Sequence, residues 1–249
     1  MTARFRLKTV GSTHPGLVRS ANEDSLVLRD DVGVWVVADG MGGHENGQWA
    51  SGSIVEAVTS ADFVGAFEQD VGTLAEAVHG ANNKIHATAE ESGKRMGSTV
   101  VALHISGHRF AAVWAGDSRI YLLRAGELHR LTRDHTQVQE LVDRQLMTQE
   151  EAEHHPMSHV LSRAVGVQGE LELDVVSDEV EPRDIFLLCS DGLTGLVSDA
   201  EIAERLSTLS LEAACRRMTE LVLARGAPDN VTMIAVACEE MTALAFAPA

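Results

Sequence analysis

Apolar and polar residues alternate along much of the chain, as in HRFAAVWAGD (108–117) and SRIYLLRAGELHRL (118–131), with glycine-containing turns between them. A period of two broken by glycine turns predicts antiparallel hairpins rather than a parallel sheet. Strand-like segments fall at 5–10, 25–28, 32–38, 99–105, 109–115, 120–124, 171–176, 185–189 and 231–237. Apolar residues recur at helical spacing over 47–61, 71–91 and 211–225. A fourth such stretch, 137–144, leads into the polar run LMTQEEAEHHPMSH (146–159), read as a lid-like flap around 137–165. No repeat, low-complexity tract or linker interrupts the pattern, so residues 1–249 are expected to form a single domain. Many antiparallel strands with a few long helices imply an α+β fold in which sheets and helices stack in layers.

The places where apolar strands stop change the picture. VWVVADGMGG runs into Asp39, AAVWAGDSR into Asp117 and IFLLCSDG into Asp191, while in APDNVTMIAVA the strand starts just after Asp229. A further acidic pair, Glu23 and Asp24 in RSANEDSLVL, opens a strand. One aspartate at a strand end is an ordinary turn former. Five such ends in one domain are a cluster of like charges, which bound cations would compensate. Oxygen-only ligands suit hard ions such as Mg²⁺ or Mn²⁺ rather than zinc. Glycines in DGMGG and SDG let backbone approach a metal or substrate closely. Paired divalent ions roughly 3.5–4 Å apart bridge a water and stabilise in-line displacement at phosphorus, so hydrolysis of a phosphoryl group is the expected chemistry.

Composition narrows the alternatives. Hydrophobic residues make up 45% of the chain, enough for a core, and only 4% are aromatic, so that core relies on Val, Leu, Ile and Ala. A formal charge of −17 argues against a general nucleic-acid binder, which needs a basic face. Cys189, Cys215 and Cys238 show no CxxC or zinc spacing and read as reduced core residues. The N-terminus has no apolar leader, and no run approaches membrane-spanning length. A cytoplasmic protein with no membrane or nucleic-acid partner, monomeric, is expected.

In order along the chain stand RxxxED, VVADGMGGH, GSTVV, AGDSR, LTRDHT, SRAVG, SDGL and PDNVT. This series resembles bacterial metal-dependent protein serine/threonine phosphatases of type 2C, over Gly11 to Ala237. The resemblance implies a four-layer αββα sandwich of two mainly antiparallel sheets, with a metal centre at one end of the sheets. It implies that Asp39 bridges two core ions, with the Gly40 carbonyl reaching one directly or through water. Asp191 and Asp229 are implied as further ligands of the first ion. Glu23 and Asp24 fall on the second ion's side, one direct or both through waters. Asp117, with Asp191, is implied to hold a weaker third ion, and Arg19 to clamp the substrate phosphate. The partners implied are phosphorylated proteins and an opposing serine/threonine kinase, in some bacteria one that controls a secretion apparatus.

The chain departs from many eukaryotic relatives at Met41, where they carry a histidine proposed as general acid. His44 is the nearest histidine; it reads either as that proton donor or as a loop residue bonded to backbone. His154, His155 and His159 read as a solvated loop, Ser98 and Thr99 as a turn entering a strand, and His135 as a helix cap or backbone ligand. A pseudophosphatase would lack the acidic positions present here, and a metal-dependent nuclease fits poorly with the −17 charge.

Overall fold

A strand buried on both faces needs a covering layer on each side, and the central strands here divide their side chains between two cores. A computed structural model describes residues 5–43, 45–153 and 155–240. The first half of the chain forms β1 (Phe5–His14), β2 (Asp24–Arg29), β3 (Val34–Met41), α1 (Glu45–Ser60), α2 (Phe67–Ser92), β4 (Gly97–Ser98) and β5 (Val100–Ser106). There follow β6 (Arg109–Ala115), β7 (Arg119–Arg124), β8 (Glu127–Arg130), α3 (Gln137–Asp143), α4 (Gln149–Glu153) and β9 (Asp174–Glu179). The last part forms β10 (Ile185–Cys189), α5 (Asp191–Thr194), α6 (Asp199–Thr208), α7 (Leu211–Ala224) and β11 (Val231–Glu240).

The strands make two sheets, ordered β1-β11-β10-β7-β8 and β2-β3-β5-β6-β9, with β4 paired to β3. Every pairing is antiparallel. Period-two geometry then sorts side chains by layer. On β3, Val34, Val36 and Ala38 face α1 and α2 with Ile54, Val58, Leu74 and Val78, while Trp35 and Val37 enter the space between the sheets. On β10, Leu187 and Cys189 meet α6 and α7 through Ile202, Leu206 and Met218, while Phe186 and Leu188 face the other sheet. Phe110 of β6 and Phe186 of β10 meet edge to face across the inter-sheet layer, 4.8 Å between centroids, a contact worth about 1 kcal/mol beyond area burial. The result is the expected α+β sandwich of helices, sheet, sheet and helices.

Boundaries differ from the sequence reading where burial fails to phase them. The strand expected at 171–176 lies at Asp174–Glu179 and is exposed along most of its length as the outer strand of its sheet. Leu171 and Leu173 instead pack on the helix-side core. β8 follows a tight turn with positive φ at Ala125 and Gly126, the type I′ geometry that fits hairpin twist. α6 opens with a capping box, Ser198 accepting from Glu201 N–H and the Glu201 carboxylate accepting in return.

One expectation is corrected. The sequence AAVWAGDSRIYLLRA reads as a hairpin turning at Gly116–Ser118. Both edges of β6 are already taken, by β5 and β9, so β7 cannot pair with it and joins β10 and β8 in the other sheet. Asp117 therefore sits on a crossover between the two sheets. Among the described residues, no helix is long and apolar enough to cross a membrane.

Candidate metal centre

The expected acidic positions come together at one end of the sandwich. β3 carries Asp39 near its end, and the register sets Asp24, first residue of β2, directly opposite it. Asp191 begins α5 two residues past β10, Asp229 stands two residues before β11, and Asp117 lies on the crossover. Glu23, Asp39, Gly40, Asp117, Asp191, Asp229 and Arg19 all line one cleft of about 920 Å³. Gly40 and Gly47 of α1 press backbone to backbone, since a Cβ on Gly40 would fall 2.1 Å from the Gly47 carbonyl oxygen. A Cβ on Gly47 would strike Glu23 Oε2, so the missing side chain makes room for that carboxylate. Glu23 thus faces the cleft, while Asp24, beside Asp39, is buried at 7% exposure and does not line it.

Burial and mutual repulsion perturb three of these carboxyls. Burial first, then the charges of Asp24, Asp191, Asp117 and Asp229, pushes the Asp39 carboxyl well above its usual range. Burial raises Asp24 to about 6, against the stabilising hydroxyls of Thr232 and Ser190. Burial and Asp191 raise Asp117 to about 7. Ser190 donates to Asp24 Oδ2 at 2.8 Å, whereas Asp24 Oδ1 is buried with no hydrogen-bond partner. A buried carboxylate oxygen without a donor is costly unless a cation faces it. An all-oxygen donor set, an orphaned acceptor and mutually raised acids fit hard divalent ions.

Arg19 meets Asp229 as a fork, Nε to Oδ1 at 3.0 Å and Nη2 to Oδ2 at 2.7 Å. The guanidinium at the cleft edge is thus engaged by one of the acids. His44 lies outside the described residues. His159, read from sequence as a loop residue, stands at the site: its Nδ1 is 3.7 Å from Asp191 Oδ2. Among the described residues, Asp117, His159 and Asp191 each offer a ligand atom within 4.8 Å of the others. The facing Asp191 carboxylate holds the His159 imidazole above its usual range.

His159 reaches this position because the 137–165 segment folds back along the cleft. α3, His155, Met157, Leu161 and Arg163 form that wall. The segment is anchored by bridges of Thr136 to Leu161 and Ser98 to Val165, and by Arg163 donating to Asp174 at 2.6 Å. His135 binds backbone, one of its two sequence readings: Nδ1 accepts the Gly116 N–H at 3.1 Å. Nε2 therefore carries the proton and faces Asp174 Oδ2 at 3.3 Å.

The chain resembles known proteins in sequence and in fold. A family model described as protein phosphatase 2C matches residues 18–231. The serine/threonine protein phosphatase PstP of Mycobacterium tuberculosis is 39% identical over 230 residues, 92% of this chain and 44% of that protein; the chain spans less than half the length of this relative. The structure of PppA, a key regulatory component of T6SS in Pseudomonas aeruginosa, superposes with a TM-score of 0.88 at 39% identity, covering 95% of this chain and 99% of that one. The catalytic domain of PstP in complex with two manganese ions superposes with a TM-score of 0.85 at 36% identity, covering 95% and 100%.

Proposed function

The chain belongs to the protein phosphatase 2C family, and from that premise we propose that it is a divalent-metal-dependent protein serine/threonine phosphatase. The reading is carried by the convergence of Glu23, Asp39, Asp117, Asp191 and Asp229 on one cleft. Asp39 would be shared by two core ions, one also held by Asp191, Asp229 and the Gly40 carbonyl and the other by Glu23 and Asp24. Asp117 and Asp191, beside His159, would hold a weaker third ion, and either Mg²⁺ or Mn²⁺ suits their carboxylate oxygens. Bound ions of this kind lower the pKa of a water and neutralise charge on the phosphoryl group.

The remaining work falls to the chain itself. The carboxylates fix where positive charge sits, and the 137–165 segment walls the cleft as a flap on a single catalytic domain. The Arg19 fork matches two phosphate oxygens as well as it matches Asp229. Arg19→Ala is accordingly expected to raise KM for a phosphopeptide by roughly 10–100-fold, the worth of a charged bidentate hydrogen bond. Mn²⁺ affinity should stay near wild type in a calorimetric titration; a fall instead would assign Arg19 to supporting Asp229.

The substrates proposed are phosphoserine and phosphothreonine in proteins phosphorylated by a bacterial serine/threonine kinase that this enzyme opposes. The similarity to PppA makes a kinase-controlled secretion system one setting to examine, by comparing phosphoproteomes with and without the protein. The direct test is hydrolysis of a phosphopeptide with Mn²⁺, expected to vanish with EDTA, beside single-stranded DNA under the same conditions. Cleavage of the DNA and not the phosphopeptide would make the protein a nuclease. Mn²⁺ binding without turnover of either would make it a pseudophosphatase.

A further inference from the structure

Antiparallel strands exchange two backbone hydrogen bonds at each hydrogen-bonded pair, and at Asp39 and Thr99 a side chain takes over one of them. Thr99 N–H donates to the Asp39 carbonyl at 2.8 Å, as a ladder requires. Asp39 N–H donates instead to the Thr99 hydroxyl oxygen, at 3.1 Å. The Thr99 carbonyl is taken by the Ser98 hydroxyl at 2.8 Å. Thr99 Oγ1 shares a second hydrogen bond, of 2.7 Å, with Ser118 Oγ. Thr99 and Ser118 are 3% and 1% exposed, so water does not compete for these bonds.

Ser118 directly follows Asp117. The Thr99 side chain also occupies the space where a Cβ on Gly116 would lie, 2.6 Å from Thr99 Cβ, and Gly116 has φ +113, a conformation that favours glycine. One buried hydroxyl thus touches the peptide of Asp39, on one sheet, and the neighbour of Asp117, on the crossover to the other. A hydroxyl has one hydrogen and two lone pairs, enough for both bonds. Valine, of the same shape, can make neither.

We propose that Thr99 is a positioning residue for the metal centre, its hydroxyl holding the Asp39 and Asp117 carboxylates in fixed relation. This rests on the reading of the cleft as a divalent-metal site. Outer partners of metal ligands typically tune affinity or activity by roughly 10–100-fold. Calorimetric Mn²⁺ titration of Thr99→Val, Thr99→Ser and Ser118→Ala tests it, beside phosphopeptide turnover against Mn²⁺ concentration. Thr99→Val is expected to need roughly 10–100-fold more Mn²⁺ for half-saturation and half-maximal turnover. KM for the phosphopeptide at saturating Mn²⁺ should not move, and Thr99→Ser should restore wild-type Mn²⁺ affinity. Wild-type Mn²⁺ binding in Thr99→Val overturns the proposal, whatever its melting temperature. So does Thr99→Ser as impaired as Thr99→Val, since a hydroxyl at this position would then not suffice to restore the site. Should Thr99→Val not fold, Ser118→Ala decides: weakened Mn²⁺ binding supports the proposal and unchanged binding overturns it. A wild-type protein that binds no Mn²⁺ overturns the metal reading itself, and this inference with it.

Discussion

Asparagine in place of Asp39 is expected to cut phosphopeptide turnover by on the order of 10³-fold at saturating Mn²⁺, about 4 kcal/mol of barrier. Asn keeps the shape of the side chain and removes the charge that two core ions would share. The same substitution should act oppositely on the metal-free fold. Asp39 is held among Asp24, Asp117, Asp191 and Asp229, so a neutral side chain there relieves repulsion and the EDTA-treated variant should melt no lower than wild type. Activity and stability moving in opposite directions would separate a ligand role from a folding role. Full turnover in Asp39→Asn would sink the assignment.

Heat stability of the chelated protein is expected to fall as pH rises from about 4 to about 7.5. Asp24 and Asp117 keep their protons to about 6 and about 7 in the folded chain, against roughly 3.9 when unfolded. Between those values the folded state binds more protons than the unfolded one, so raising pH withdraws stability, fully by the time pH passes the folded values. The two shifts amount to on the order of several kcal/mol. Cations should replace the protons, so saturating Mn²⁺ should lift the melting temperature most at pH 7.5. Calorimetric scans in EDTA at pH 5 and 7.5, then with Mn²⁺, measure this. A chelated melting temperature that ignores pH would mean these acids are not under strain.

The acidic centre was legible because strand ends are marked in one dimension: an apolar run stops and an aspartate stands there, as at Asp39 and Asp191. The long helices were legible through their repeating apolar face. What the sequence could not show was partnership in space. Alternation with a glycine turn looks the same for a hairpin and for a chain changing sheets, so Gly116–Ser118 reads as a hairpin although β6 pairs with β5 and β9. β9 slipped in register because little on it is buried to phase it. α6 buries only Ile202 and Leu206, too little for a periodic signal, although Ser198 and Glu201 spelled its cap. His159 carried no local mark at all; only the return of its segment over Asp191 gives it a place.

β11 lies between β1 and β10, pairing with β1 over ten residues, Phe5 with Glu240 through His14 with Val231. A nascent chain therefore cannot close its first sheet early. Until residue 240 has left the ribosome, β1 lacks its neighbour in that sheet, and the cleft lacks Asp229 until shortly before. Such long-range closure is slow compared with local folding. It also means that a copy released by translation stalled before residue 229 lacks one of the acids that line the cleft.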